Sequence, residues 1–454
     1  MQLRRDYLIS IFILALIARL SFLIWGATFL YGENPFINND SFSYRQSFIN
    51  LVEHGTYSFD LTNGDASFGR LPGYPFFWGL HYLLFGDHAD LATAITQIGL
   101  DSFACILATF IALRIFGRKS AALISGLVYA LNPFAVLWVT VIGTESMATT
   151  VSILFFYVLL CQKDHRYYAL ILALLIALAF YTRPYLGIFL PISLGYIFFR
   201  NNTEKKWISI ITVIGVFVII YLPWPIRNYL ISNELVLIKG NTPGYYRYSS
   251  DIVAARNWLH AWTTDTDYFL NQMTDPGLEP NFDSYQNLSF QKEAVLEAVN
   301  QGRKCGSGFH HWRYYKLPSV ENCDEETVEM FNALKAEYQS QYPVRYWTDV
   351  PLRNVLKFFF KSDLSKHQSS LLLAGLKLRS LGILISLIGF AFLRKNSDAQ
   401  WLVIFPAFML IFLSFFFRQM EMRYMLQAEM ILMTFSGMAI FTLYQKGREI
   451  LASG

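Results

Sequence analysis

Six ionisable residues draw attention because each borders or interrupts an otherwise apolar stretch: Asp40, Arg70, Glu145, Arg183, Arg227 and Arg423. Asp40 lies in Asn38-Asn39-Asp40-Ser41-Phe42-Ser43-Tyr44. That string reads first as a helix start, because Asn, Asp and Ser favour the N-cap. A carboxylate there is kept ionised by the helix dipole, which also suits a general base facing a hydroxyl. Arg70-Leu71-Pro72-Gly73-Tyr74-Pro75 is a turn running into a helix, with Pro75 near the first helical position. Its guanidinium either snorkels among lipid headgroups or clamps a phosphate through a bidentate fork. Thr144-Glu145-Ser146 opens an apolar helix, where a Glu serves the dipole as readily as a site. Thr182-Arg183-Pro184, Pro223-Trp224-Pro225-Ile226-Arg227-Asn228 and Arg423-Tyr424 each set an arginine at the end of an apolar run. An acid with several arginines is the equipment for moving a proton beside a bound anion.

These residues sit in a chain of 454 residues that is 54% hydrophobic and only 15% charged. Mean hydropathy is +0.33. A soluble domain carries about 25% charged residues, so this charge is too thin for a fully solvated surface. Disorder and coiled coil are excluded too, since nothing is low-complexity and no heptad persists. The balance of 37 basic and 33 acidic residues, net +4, offers no footing for nucleic acid. Aromatics make up 17%, enough for interface belts and for surfaces that handle sugars or lipids.

The fold class expected is an α-helical polytopic membrane protein. Apolar runs long enough to span appear near 7–30, 91–116, 120–140, 144–161, 167–182, 184–199, 207–231, 371–393, 401–417 and 424–444. The first is too long for a cleaved signal and lacks a small-residue cleavage site. With Arg4 and Arg5 inside, one set of loops carries Arg118/Lys119, Lys163/Arg166, Arg200/Lys205/Lys206, Arg394/Lys395 and Lys446/Arg448. That is the positive-inside pattern, and about ten spans place both termini in the cytoplasm. The six residues above then all face outward. Two segments stand outside: loop 31–90, with amphipathic pieces suited to lying in the interface, and a region at 232–370 of soluble composition, helical or α/β. The division expected is 1–231, a transmembrane catalytic region; 232–370, a periplasmic domain for acceptor selection; and 371–454, the closing helices. Cys305 and Cys323 both fall in the outer region and are expected to form a disulfide. Trp258, Trp262, Tyr245, Tyr246, Trp312 and Tyr314 are either sugar platforms or core.

No Walker A loop, dinucleotide fingerprint, nucleophile elbow or HExxH motif occurs. His310-His311 is poor geometry for one metal, so no metal site and no cofactor are expected, with a divalent ion left open. A substrate already activated and carried by a lipid fits that lack of a nucleotide site.

Over about 38–230 the chain resembles the GT-C superfamily of integral-membrane glycosyltransferases, which includes ArnT-like aminoarabinose transferases and protein O-mannosyltransferases. The resemblance rests on Asp40…Tyr44, Arg70-x-Pro-Gly-Tyr-Pro75, the Gly117 turn, Asn132-Pro133 with Thr144-Glu145, Arg183-Pro184 and Pro223-Trp224-x-x-Arg227-Asn228, with Arg423-Tyr424 a further match. It implies sugar transfer from a polyprenyl-phosphate donor on the periplasmic face of a bacterial inner membrane. Asp40 would be the catalytic base in an inverting attack. Arg70, Tyr74, Glu145, Arg183, Arg227, Arg423 and Tyr424 would bind donor phosphate or sugar. The acceptor would be an envelope glycolipid, a polysaccharide or a protein such as a pilin. Protein O-mannosyltransferases carry an adjacent acidic pair in the first loop, whereas Ser41 follows Asp40 here, which leaves the sugar open. The rival readings are a polysaccharide polymerase or ligase, and a lipid or sugar flippase; a flippase would be expected to show mirrored halves, and none is seen.

Overall fold

The computed structural model describes residues 3–38, 40–62, 64–200, 206–238, 249–278, 280, 292–311, 323–360 and 370–453. Asn39, Lys205, Tyr245, Tyr246, Trp312, Tyr314 and Tyr315 lie outside them. Every regular element among the described residues is helical. In lipid this follows from chemistry, because a helix satisfies its own backbone polar groups.

Six helices are long and apolar enough to cross a membrane, or seven if the bent pair Met422–Met433 and Ser436–Ala452 is one span. Shorter apolar helices cover Lys119–Ala130, Tyr168–Thr182 and Pro184–Arg200. Two runs expected to be continuous are broken, and two more are locally irregular beside a proline. The 120–140 run stops at Ala130, and a new helix, Pro133–Trp138, starts under the Asn132 side chain, which accepts from the backbone N–H groups of Phe134 and Ala135. The 424–444 run bends by 44° between Met433 and Ser436. The 207–231 run is interrupted only at Leu222, before Pro223, and still counts as one span, Lys206–Ser232, while 184–199 begins as a 3-10 turn at Pro184 before its helix Phe189–Arg200. Pro has no N–H to give the preceding turn, so such breaks are its usual effect.

Thr144–Cys161 is the hub, with 83% of its length buried inside the protein. It packs against Ala89–Phe116, Tyr168–Thr182 and Met422–Met433. Ala148, Thr149 and Ser152 are fully or almost fully buried on it, and such small side chains let helix backbones approach where no hydrophobic effect drives them together. Gly437 shows the same need, since a Cβ there would lie 1.9 Å from the Ala121 carbonyl oxygen.

Two ion pairs cross this apolar interior. Arg19 Nε donates to Asp101 at 2.7 Å, and its Nη1 donates to the carbonyls of Ala15 and Ala130. Tyr129 donates to the other Asp101 oxygen at 2.9 Å. Arg379 Nε donates to Glu429 at 2.8 Å and its Nη1 to the Phe358 carbonyl. At the helix ends away from the Asp40 turn, Asp398 meets Arg114 and Arg200 at 3.2 and 3.1 Å.

Between the membrane helices, the described residues of 250–360 form helices of their own: Ser250–Trp262, Thr266–Thr274, Lys292–Cys305, Ser307–His311, Asp324–Gln341 and Pro343–Phe360. Trp258, Trp262, Phe269, Phe309, Phe331 and Leu334 are buried together in their core. Trp258 and Trp262 are therefore core residues and not sugar platforms. Cys305 and Cys323 are bonded, with Cα atoms 5.4 Å apart. Beside them Asp324 accepts from Ser307 N–H at 2.7 Å, and Asp251 accepts from the N–H groups of Gly308 and Phe309. These carboxylates hold the start of a one-turn helix that could not stand alone.

Candidate functional site

The Asp40 turn is built by its neighbours. Asp40 occupies the N-cap position of Ser41–His54, but its side chain makes no cap bond. Asn38 Oδ1 accepts the Asp40 and Ser41 N–H groups instead, at 2.9 and 3.0 Å. The capping function is thus met by Asn38, and the Asp40 carboxylate is released to face elsewhere. Ser41 Oγ donates to the Ile142 carbonyl at 2.7 Å, tying this turn to the chain just before Glu145.

Arg70 reaches the same point from the next turn. Its Nη2 donates to Asp40 Oδ1 at 2.8 Å, its Nε to Ser43 Oγ at 2.7 Å and its Nη1 to the Tyr44 hydroxyl at 3.2 Å. Gly73 makes this approach feasible. A Cβ there would lie 2.6 Å from the Tyr181 carbonyl carbon, so the Arg70 turn can sit against the backbone that leads to Arg183. Arg423, at the start of Met422–Met433, donates from Nη1 to Asp40 Oδ2 at 2.6 Å and from Nε to Glu421 at 2.6 Å.

A second layer lies beneath. Arg183 pairs with Glu145 at 2.5 Å and donates to Thr144 Oγ1 at 2.6 Å and to the Tyr185 hydroxyl at 2.8 Å. Tyr185 in turn donates to Gln427 at 3.0 Å. Glu145 also stands 3.7 Å from Arg423, which links the two layers. Tyr424 stacks its ring under both Arg183 and Arg423.

Five of the six residues singled out by sequence therefore meet in one network: Asp40, Arg70, Glu145, Arg183 and Arg423. Arg227 does not join it. Its guanidinium donates to the carbonyls of Ser67 and Tyr57 at 2.9 and 2.7 Å and packs on the Tyr57 and Trp224 rings. Tyr74 is fully buried below the network, donating to Gln97 at 2.9 Å and accepting from the Gly143 N–H at 2.8 Å. Both support the loop that carries the site. Sequence reading missed Glu421, Tyr185 and Gln427. Gln427 lies four residues from Arg423, a helical spacing that could have drawn it in, whereas Glu421 and Tyr185 lie two residues from Arg423 and Arg183, a spacing that carries no such signal.

Burial alone would raise the Asp40 pKa, but the Arg70 and Arg423 guanidinium groups override it and hold the carboxyl well below the usual range. It is ionised at any ordinary pH. Asp40, Glu145 and Glu421 each spend carboxylate oxygens on arginine, and among the described residues no group of three or more His, Cys, Asp or Glu is arranged to hold a metal ion. Three acids and three arginines, Arg70, Arg183 and Arg423, thus stand in one charge-balanced network. Asp40, Arg70 and Arg423 keep part of their side chains exposed, whereas Arg183 and Glu145 are buried.

Residues 70–226 match the family model described as dolichyl-phosphate-mannose-protein mannosyltransferase. The matched segment begins at Arg70 and contains Glu145 and Arg183, while Asp40 and Arg423 flank it. No curated protein matches the chain by sequence. Among solved structures, the archaeal oligosaccharyltransferase AglB from Archaeoglobus fulgidus, in complex with an inhibitory peptide and a dolichol-phosphate, shares 14% identity at a TM-score of 0.53, covering 98% of this chain and 51% of that one. The Archaeoglobus fulgidus oligosaccharyltransferase in complex with Zn and sulfate gives 14% identity and a TM-score of 0.52, covering 96% of this chain and 49% of that one. The chain thus spans about half the length of these structures, and the likeness is one of fold. By family model over 70–226 and by fold over nearly its whole length, the chain is similar to the GT-C glycosyltransferases.

Proposed function

We propose that this protein is a membrane glycosyltransferase that moves a sugar from a polyprenyl-phosphate donor to a hydroxyl of an envelope glycolipid, polysaccharide or protein such as a pilin. The observation that carries the reading is the Asp40 carboxylate held between Arg70 and Arg423, partly open to a ligand. In the proposed topology about ten spans place both termini in the cytoplasm and this cluster on the periplasmic face of a bacterial inner membrane, with 232–370 selecting the acceptor.

The geometry suggests a sequence of events. An Asp paired with two arginines is a weak base, because proton transfer works best when the pKa lies near the working pH. A donor phosphate competes for Arg70 and Arg423, since guanidinium binds phosphate and carboxylate through the same fork. As an arginine turns to the phosphate, Asp40 loses a partner and becomes more basic. Asp40 then takes the proton of the acceptor hydroxyl while that oxygen attacks the anomeric carbon. The bond from that carbon to the phosphate oxygen breaks, and the polyprenyl phosphate leaves with a second negative charge. Arginines already aimed at the phosphate offset that charge as it develops. The leaving phosphate is a stable anion, so no general acid is required. Attack opposite the leaving group gives inversion. Glu145 keeps Arg183 in place and steers Arg423.

The test is transfer by the purified protein, given a polyprenyl-phosphate pentose or hexose and an extract of envelope acceptors. Sugar should appear on an acceptor without nucleotide sugar. Arg70→Ala should raise the donor KM by about tenfold or more, the scale of one charge-assisted contact. Unchanged donor kinetics in that variant would remove Arg70 from the phosphate site.

A further inference from the structure

A second place in the molecule has the makings of an anion site, and it owes nothing to the reaction proposed above. Where the span Ser397–Phe416 ends, a cavity of about 560 Å³ opens between that end and the helices Ser250–Trp262, Asp324–Gln341 and Pro343–Phe360. Its wall on one side is apolar and outward-facing: Ile411, Phe415, Phe416 and Trp347 are all exposed, Phe416 at 76%. That wall continues the lipid-facing surface of the span. Its other side carries His260, Lys335 and Arg418.

The two cations, Lys335 and Arg418, have no acid among the residues that line the cavity. Arg418 is only 6% exposed, yet its Nε and Nη2 donate to the carbonyls of His260 and Tyr346, at 2.8 and 2.7 Å, and not to a carboxylate. Its Nη1 is buried without a hydrogen-bond partner, and so is Nε2 of His260. Lys335 forms no ion pair among the described residues. Burial, aided by Arg256, Arg418 and Lys335, pushes the His260 pKa down to about 3, so the imidazole is neutral and free to donate. Arg418 also adopts a left-handed backbone at φ 56°, a conformation that non-glycine residues hold only when their surroundings enforce it. A buried cation with an unused donor costs free energy unless an acceptor completes it, and an anion is the strongest one.

A strut role accounts for part of this, because Arg418 closes the last carbonyls of Ser250–Trp262, where a cation is favoured. It leaves Lys335, the idle Nη1 and the greasy wall without a purpose. We propose that this cavity binds a phosphate-bearing anionic lipid of the surrounding bilayer. The phosphate sits on Arg418 and Lys335 with His260 donating to it, and an acyl chain lies along Ile411, Phe415 and Phe416. The end of a span is the depth at which headgroup phosphates lie. The lipid would then be wedged between the membrane helices and the helices of 250–360.

Full-length protein in phosphatidylcholine nanodiscs, titrated with brominated phosphatidylglycerol, tests this. Bromine quenches nearby indole, and the Trp347 share is read as the difference from Trp347→Phe. Saturable quenching at Trp347 is expected, and Lys335→Gln should move its midpoint to about fivefold higher anionic lipid, the scale of one lysine near a charged bilayer surface. Lys335 holds no helix together, so the variant should fold normally. Equal quenching by brominated phosphatidylcholine, or an unmoved midpoint in Lys335→Gln, would overturn the proposal. Displacement of the lipid by millimolar inorganic phosphate would also overturn it, assigning the cavity to a free anion.

Discussion

The Arg19–Asp101 pair and the Asp40–Arg70–Arg423 cluster use the same chemistry in opposite ways. In the first, both side chains are sealed, at 0% and 2% exposure, and Tyr129 and two backbone carbonyls use up the remaining polar atoms. In the second, one carboxylate is shared between two arginines and about a fifth to a third of each side chain is exposed. A sealed pair can only hold helices together. An open cluster whose arginines stay within reach of a ligand can change partners, which is what a site for a phosphate needs. Arg379–Glu429 belongs with the sealed kind. The lesson is that an arginine–carboxylate contact says little about function until its exposure is known.

The contrast can be broken by substitution. Arg19→Ala leaves Asp101 as an unpaired buried charge, and the cost of orphaning one partner is about 3–5 kcal/mol. Thermal unfolding in detergent should show that loss, or no folded protein at all. Replacing Arg19 and Asp101 together by apolar residues of similar size should recover most of it. If the double variant is as unstable as the single one, the pair does more than fill and seal.

The smallest effect concerns His260. Its folded pKa of about 3 lies below the ordinary 6.5, so the unfolded chain binds the extra proton first. The neutral imidazole therefore contributes its full stability above pH 6.5 and loses it as pH falls toward 3. The charged groups around it are Arg256 on its own helix, Lys335 on Asp324–Gln341 and Arg418 ahead of Met422. By pH 5 the loss is about 2 kcal/mol, and unfolding measured between pH 7 and 5 should be less acid-sensitive in His260→Gln. Equal acid sensitivity in the two proteins would count against a buried neutral imidazole.

How much of this was readable beforehand follows from the physics of each feature. Helical membrane class came from composition, because scarcity of charge is a whole-chain property. The residues of the open cluster were readable because each stands just outside an apolar helix, Asp40 beside Asn39, Arg70 beside Gly69 and Arg423 at the head of the last apolar run, where hydropathy changes. Arg19, Asp101, Arg379 and Glu429 were overlooked because charges are few inside their apolar runs, and a window of about 20 residues averages them away. A charge inside such a run is itself a signal, since it must find a partner. Helix breaks at Asn132 and Pro223 had local signatures, but whether a break ends a span depends on packing that hydropathy does not carry. Arg227 shows the same limit: its place at a helix end matched the other arginines, and only three-dimensional contacts showed its donors committed to Tyr57 and Ser67 carbonyls.

The central claim is that Asp40 acts on the acceptor proton while the arginines hold the donor. Single-turnover transfer and donor binding in Asp40→Asn, measured on the same folded preparation, address it directly. The account predicts that donor affinity is kept or improved, since two arginines are released to the phosphate, while the transfer rate falls by about a hundredfold or more. Transfer at the unaltered protein's rate in a properly folded Asp40→Asn variant would contradict it.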